Sequence, residues 1–109
     1  MGRRPWFPFY IDDWEGAETV KLSDNRVRGA YLRLLCHQWR KGSLPPGVGE
    51  LAAIAGEPER AFRVMWKRLE GKFPINGDGR RSNIRMAGEI AKADRLSAVR
   101  SANAKQRQS

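Results

Sequence analysis

The sequence predicts a single mainly α-helical domain with a small β-hairpin, an α+β arrangement. Several segments carry apolar residues at three- and four-residue spacing, which is the period of a helix buried on one face. Two short runs flank a Gly-Asp-Gly sequence, a pattern typical of a hairpin turn. A chain of 109 residues has enough material for one hydrophobic core. We expect the domain to occupy residues 1–96 and a basic, flexible tail to occupy residues 97–109.

The first segment of the chain mixes large apolar residues with prolines. Residues 6–11 contain Pro8 and follow Pro5. Proline removes a backbone donor and disfavours the helical conformation of the residue before it. We therefore expect a short strand or extended arm that lies on the core.

Two helices follow. Ser23 has a side-chain oxygen that suits a helix start, and the apolar stripe that begins at Val27 continues to Trp39, so the first helix is expected over residues 23–41. Gly42 should end it. Residues 48–55 predict a brief second helix, with Gly56 in the left-handed position that follows a helix end.

A third helix and a hairpin are predicted next. Pro58 suits the first turn of a helix that runs to about Glu70, because the missing proline donor costs nothing there. Residues 73–76 and 80–86 are expected to pair as a hairpin around Gly77-Asp78-Gly79. A further helix is expected from Ala87.

This order of elements predicts a winged helix-turn-helix fold. In that fold the third helix enters the major groove of DNA, and the hairpin, called the wing, contacts the backbone or the minor groove. The predicted DNA-binding residues are the basic residues of the third helix, the hairpin and the tail: Arg60, Arg63, Lys67, Arg80, Arg81, Arg85, Arg95 and Arg100.

The charge of the chain supports a nucleic-acid partner. Lys and Arg number 21 against 12 Asp and Glu, which gives a net charge of +9. A basic surface attracts phosphate polyanions and steers their approach. Duplex DNA is the expected partner, with a replication protein as a further one, and a homodimer is compatible with paired half-sites.

Two other functions stay open at this point. One is a protein adaptor that docks on a replication or host factor through its aromatic N-terminal region, with the charge serving solubility. The other is RNA binding by the basic tail. The aromatic side chains of that N-terminal region could also stack on single-stranded bases, although core or interface packing is the commoner role: Trp6, Phe7, Phe9, Tyr10 and Trp14.

Residues for catalysis or metal binding are scarce. Cys36 is the single cysteine and His37 the single histidine, which excludes cysteine-rich zinc modules and multi-histidine sites. Asp12, Asp13 and Glu15 could bind a divalent cation, but such a group more often forms a turn or pairs with arginines. We expect no enzymatic activity, no cofactor and no metal.

The localisation expected from the sequence is cytoplasmic. The N-terminus carries Arg3 and Arg4 but no following apolar run of the kind found in signal peptides. No stretch approaches the roughly 20 apolar residues that a membrane span requires. A lone cysteine is compatible with a reducing compartment.

Several blocks of the sequence resemble a known family. These are Phe9-Tyr10-x-Asp12-Asp13-Trp14, Leu22-Ser23, and above all Gly29-Ala30-Tyr31-Leu32-Arg33-Leu34-Leu35 with Trp39. Over roughly residues 6–90 the chain is similar to the YdaU-like domain of phage and prophage proteins. This domain of unknown function is often found at the N-terminus of proteins similar to phage replication initiators. The resemblance implies a DNA-replication setting and supplies no catalytic residues.

Overall fold

The structure is a computed structural model that describes residues 25–108, with side chains described for residues 25–103. Within this range it consists of four α-helices and one turn of 3-10 helix. Their bounds are Asn25–Lys41 (α1), Val48–Ala55 (α2), Glu59–Leu69 (α3), the 3-10 turn Glu70–Lys72, and Ile84–Gln108 (α4).

The predicted helices are confirmed where the structure describes them. The helix α1 ends at Lys41, and Gly42 follows with φ of 94°. The bounds of α2 agree with the prediction, and Gly56 takes the left-handed conformation at φ 72° and ψ 31°. The helix α3 ends at Leu69 and passes directly into the 3-10 turn. Ser23 and the strand expected over residues 6–11 lie outside the described residues.

The predicted hairpin is wrong, and with it the winged helix-turn-helix fold. Residues 25–108 contain no β-strand, and the pairing is limited to isolated bridges that join Arg81 to Leu44 and to Ile75. Pro74 has no backbone N–H to donate to a ladder. The expected second strand is also cut short, because α4 begins at Ile84. The described fold is therefore predominantly α.

The side chain of Asn83 explains the early start of α4. Its Oδ1 accepts a hydrogen bond from the backbone N–H of Met86 at 3.0 Å, which satisfies one of the orphan donors of the first helical turn. Ile84 and Met86, which alternate like strand residues in the sequence, therefore lie in a helix. Ile84 is 77% exposed, whereas Met86 is buried.

The hydrophobic core lies between the helices and receives side chains from each of them. Tyr31 meets Phe73 edge to face at 5.7 Å between ring centroids, and Trp66 lies 6.2 Å from the same ring in a stacked arrangement. Full burial of a large apolar side chain contributes about 1.5–3 kcal/mol. The buried apolar residues are Val27, Ala30, Tyr31, Leu34, Leu35 and Trp39 of α1, Leu51, Ala52 and Ala55 of α2, Phe62, Met65, Trp66 and Leu69 of α3, Met86 and Ile90 of α4, and Leu44 and Phe73 between helices.

A buried polar network ties α1 to the start of α4. The Gln38 side chain is fully buried; its Nε2 donates to the Asn83 carbonyl at 3.1 Å and its Oε1 accepts from the Asn83 N–H at 2.7 Å. The Asn83 Nδ2 donates to the carbonyl of Lys72 at 3.1 Å. Burial raises the pKa of Tyr31, against the lowering effect of a hydrogen bond with the Asn83 side chain. This network fixes the position at which the chain enters α4.

A side chain of α1 contacts the turn between α2 and α3. Arg26 forms hydrogen bonds and an ion pair with Glu57, with Nη2 at 2.5 Å from Oε1. Gly56 has a φ of +72°, a conformation that L side chains rarely adopt, so glycine is favoured there by the backbone. These contacts orient α3 relative to the rest of the domain.

The helix α4 is buried only in its first half. Met86 and Ile90 are buried and Ala93 packs against the core, whereas every described side chain over residues 94–103 is exposed. Residues 97–108, which the sequence predicts to be a flexible tail, continue α4 as helix. The boundary between domain and tail stays a prediction.

Candidate nucleic-acid interface

The predicted residues of the third helix share the outward face of α3. Arg60, Arg63 and Lys67 follow one another at helical spacing of three and four residues, so they project from one side. All three are exposed. The buried stripe on the opposite side anchors the helix to the core: Phe62, Met65, Trp66 and Leu69. We call Arg60, Arg63, Lys67 and the adjacent Val64 the α3 outer face.

The cations of the α3 outer face differ in their pairing. Nη2 of Arg63 lies 3.1 Å from Oε2 of Glu59, but both side chains are more than half exposed, so this ion pair is weak. Arg60 and Lys67 have no hydrogen bond or ion pair with any described residue. Val64 lies between them and is 67% exposed. The α3 outer face therefore presents two cations and an apolar side chain to solvent.

Arg80 and Arg81, both predicted as wing contacts, lie in very different surroundings. Arg80 is exposed, and its Nε donates to Oγ of Ser43 at 2.7 Å.

The guanidinium of Arg81 is held by the protein itself. Its Nη1 donates to the carbonyl of Phe73 at 2.9 Å, and the guanidinium carbon lies 5.1 Å from the ring centroid of Trp66. The Arg81 side chain is only 13% exposed, and Nη2 lies 3.9 Å from Oε2 of Glu70. Arg81 is therefore placed to stabilise the fold, because a guanidinium engaged in this way has little surface left for a ligand.

The three remaining predicted residues lie on α4. Arg85, Arg95 and Arg100 are all exposed. Arg85 has further interactions within the chain. Arg95 and Arg100 are five positions apart, which places them on different sides of the helix. The structure therefore does not gather these three arginines with the α3 outer face into one cluster of side chains.

A second group of cations lies at the end of α1, and two of its members, Arg40 and Lys41, are not among the DNA-binding residues predicted from the sequence. Arg40 and Lys41 form the last turn of α1, and the same end of the helix lies near Arg80. Burial first, and then the positive charges of Arg40, Lys41 and Arg80, lower the pKa of His37. The two adjacent cations were visible in the sequence, but their proximity to Arg80 depends on contacts between distant segments.

The positive charge is concentrated after residue 24 of the chain. Residues 25–109 contain 18 Lys and Arg against 7 Asp and Glu, whereas the first 24 residues contain 3 against 5. A domain with this balance carries an electrostatic potential that favours polyanions.

The structure also bears on metal binding and on membrane spans. Over residues 25–103, no three His, Cys, Asp or Glu side chains come together as metal ligands would. The carboxylates Asp12, Asp13 and Glu15 lie outside the described residues. In the described part of the chain, no helix combines the length and the apolar character needed to cross a membrane.

Over residues 25–108 the fold is predominantly helical, and many of its exposed side chains are Lys and Arg. The chain belongs to DUF1376, a family of proteins of unknown function, which matches residues 5–91. The match includes α1, α2, α3 and the first turns of α4. No curated protein and no solved structure matches the chain.

Proposed function

We propose that this protein binds duplex DNA through the α3 outer face. The observation that carries the proposal is the exposure of Arg60 and Lys67, without partners among the described residues, on the side of α3 opposite the core. Cations without an ion-pair partner need break no contact within the protein when they meet phosphate or base edges, and the release of counterions from the DNA favours binding.

The surroundings of α3 suit a helix that enters the major groove. The groove is about 12 Å wide and accepts a single α-helix. Residues 56–58 join α2 to α3 in a short turn that contains glycine, and in many DNA-binding proteins the second helix of such a pair lies in the groove. The Arg26–Glu57 contact joins this turn to α1.

Each side chain of the α3 outer face has a role in this proposal. Arg60 and Arg63 can donate two hydrogen bonds each to O6 and N7 of guanine, and Lys67 can contact a phosphate or the same guanine atoms. Val64 provides an apolar contact for the methyl group of thymine. Binding of DNA would replace the weak Arg63–Glu59 pair at little cost.

The arginines of α4 add to the attraction for DNA, although their positions on different sides of the helix allow only one of them to touch the duplex bound to α3. Arg95 and Arg100 are exposed on a helix that continues well beyond the core. Contacts of such residues with the DNA backbone position a protein without reading sequence. In this proposal Arg95 and Arg100 add affinity, and the α3 outer face adds any sequence preference.

The biological setting is proposed from the resemblance to the YdaU-like domain. That domain is often found at the N-terminus of proteins similar to phage replication initiators, so we place the protein in DNA replication or its regulation, in the cytoplasm. The proposal assigns it a binding role without catalysis or cofactor.

The experiment is a comparison of two double variants by fluorescence anisotropy with a labelled DNA duplex. The Arg60→Gln/Lys67→Gln variant removes two charges from the α3 outer face, and we expect its affinity to fall at least about tenfold, because a good base contact is worth about 1–3 kcal/mol. The matched control, Arg28→Gln/Lys92→Gln, removes the same charge from α1 and α4 and should retain most of the affinity.

Two results would contradict the proposal. One is the absence of DNA affinity in the unchanged protein at low salt. The other is an equal loss in both double variants, which would mean that only the net charge matters and that α3 has no special role.

A further inference from the structure

The end of α1 is brought against the turn that precedes α4. The backbone N–H of Leu44 donates to the Arg81 carbonyl at 2.8 Å, and the N–H of Arg81 donates to the Leu44 carbonyl at 2.9 Å. This pairing places Ser43 beside Arg80, where Oγ accepts a hydrogen bond from Nε at 2.7 Å. Arg40 and Lys41 precede Ser43 by three and two residues.

The result is a group of cations at one end of α1. We call Arg40, Lys41 and Arg80, with His37 and Ser43 at its border, the α1-end cluster. Arg40, Lys41 and Arg80 are exposed, and none of them forms an ion pair within the described part of the chain. The favourable interaction of cations with a helix C-terminus offsets part of their mutual repulsion.

The carboxylate nearest in sequence to the cluster is already engaged. Oδ1 of Asp78 accepts a hydrogen bond from the backbone N–H of Arg80 at 2.9 Å. The Arg80 guanidinium makes its described hydrogen bond to the neutral Ser43 hydroxyl. Among the residues that the structure describes, no carboxylate pairs with the cations of the α1-end cluster, which suits them to an anionic ligand.

We propose that the α1-end cluster is a second DNA contact, which binds the phosphodiester backbone of the duplex. This inference rests on the proposed function and deepens it. Guanidinium groups and an ammonium group donate to phosphate oxygens with strong, charge-assisted hydrogen bonds. Among the described residues the cluster has no exposed aromatic side chain on which a base could stack, so it is suited to phosphates and adds affinity without sequence preference.

His37 gives this site a signature that can be measured. In the free protein its burial and the charges of Arg40, Lys41 and Arg80 lower its pKa. A bound phosphate adds negative charge, which favours the protonated imidazole and raises the pKa. By linkage, affinity for DNA should then increase as the pH falls through the titration range of His37.

The experiment is an NMR titration of the imidazole of His37 in the full chain. His37 is the single histidine, so its signal needs no assignment by mutation. We expect its pKa to rise when a short DNA duplex is bound. Inorganic phosphate at the same concentration of phosphate groups should produce a smaller rise, because it lacks the other contacts of the duplex.

Single substitutions then test the same site through the salt dependence of affinity. Arg40→Gln and Arg80→Gln should each reduce the slope of log affinity against log salt by about 0.9, the value for one phosphate contact. Arg28→Gln is the matched control, because Arg28 lies on α1 about 18 Å from Arg40 along the helix axis, and it should leave the slope unchanged. Circular dichroism melts establish that each variant is folded.

The possible results separate this inference from the proposed function. If the protein binds DNA but the pKa of His37 and the slopes of both variants stay unchanged, the α1-end contact is wrong and DNA binding by α3 stands. If inorganic phosphate raises the pKa as much as the duplex does, the cluster is a site for small anions and the inference is overturned. If the unchanged protein binds no DNA, both proposals are wrong.

Discussion

Arg80 and Arg81 are neighbours in the sequence but take opposite roles in the molecule. Arg81 reaches inward, where it donates to the Phe73 carbonyl and lies over the ring of Trp66. Arg80 reaches outward to Ser43 and solvent. The exposed guanidinium of Arg80 donates to a hydroxyl group. The guanidinium of Arg81 instead donates to the carbonyl of a buried residue and lies over an aromatic ring.

This difference predicts that only one of the two arginines matters for stability. Arg81→Gln should lower the free energy of unfolding by about 1–3 kcal/mol, because it removes a charge-assisted hydrogen bond and leaves the carbonyl of Phe73 without that donor. Arg80→Gln should change it by less than about 0.5 kcal/mol, as is usual for exposed positions. Chemical denaturation of both variants measures the two values.

Each of the two variants serves as the control for the other, because both replace an arginine by glutamine in the same segment. Equal stability losses in the two variants would contradict the roles assigned here. The Arg81–Glu70 ion pair is not expected to contribute, because its atoms are 3.9 Å apart and Glu70 is 59% exposed.

The sequence could not separate these two arginines. Both lie in a polar, glycine-containing segment, and both were predicted to contact DNA. Their directions are set by the pairing of Arg81 with Leu44, 37 positions away in the chain, and by the position of Trp66 on α3. Such contacts between distant segments leave no local pattern of residues.

At the scale of elements, α4 packs on the core along its first half and is exposed to solvent from residue 94 to residue 103. Its first half is anchored by Met86 and Ile90, and its start is fixed by Asn83. From residue 94 to residue 103 every side chain is exposed, including Leu96 and Val99. An isolated helix shorter than about 12–15 residues is marginal in water, so the second half of α4 depends on the first for its nucleus.

Truncation after Leu96 should therefore leave the stability of the domain nearly unchanged. We expect the free energy of unfolding to change by less than about 0.5 kcal/mol, because the deleted side chains described by the structure bury nothing. The helical signal in circular dichroism should fall, because helical residues are lost. A thermal and a urea melt of the full and truncated chains check both expectations. A large loss of stability would show that residues 97–109 contribute to the core.

The elements that the sequence predicted well are those with local signals. The start and end of α2 follow from its apolar composition and from Gly56, and the apolar stripe of α3 is visible as helical spacing. The hairpin failed because Ile84 and Met86 alternate over too few positions to distinguish a strand from a first helical turn. The deciding group is Asn83, whose capping contact and bonds to Gln38 form only in the folded chain.

At the scale of the whole molecule, charge and core are clearly divided. The helices bury a continuous apolar core, and the cations lie on the outside of α3, at the end of α1 and along α4. The α3 outer face could be predicted from spacing alone, since its members lie opposite an apolar stripe. The α1-end cluster could not be predicted from the sequence, because Arg80 is brought near Arg40 and Lys41 only by the bridge between Leu44 and Arg81.

The central claim is that the helical domain itself binds duplex DNA. Its most direct test is the affinity of the full chain, and of the chain truncated after Leu96, for a labelled duplex across a series of salt concentrations. We predict that log affinity falls linearly with log salt for both, with a slope of about −0.9 for each phosphate contacted. The truncated chain should bind more weakly, because it lacks Arg100, but it should still bind. Affinity that disappears with residues 97–109, or that does not respond to salt, would contradict the claim.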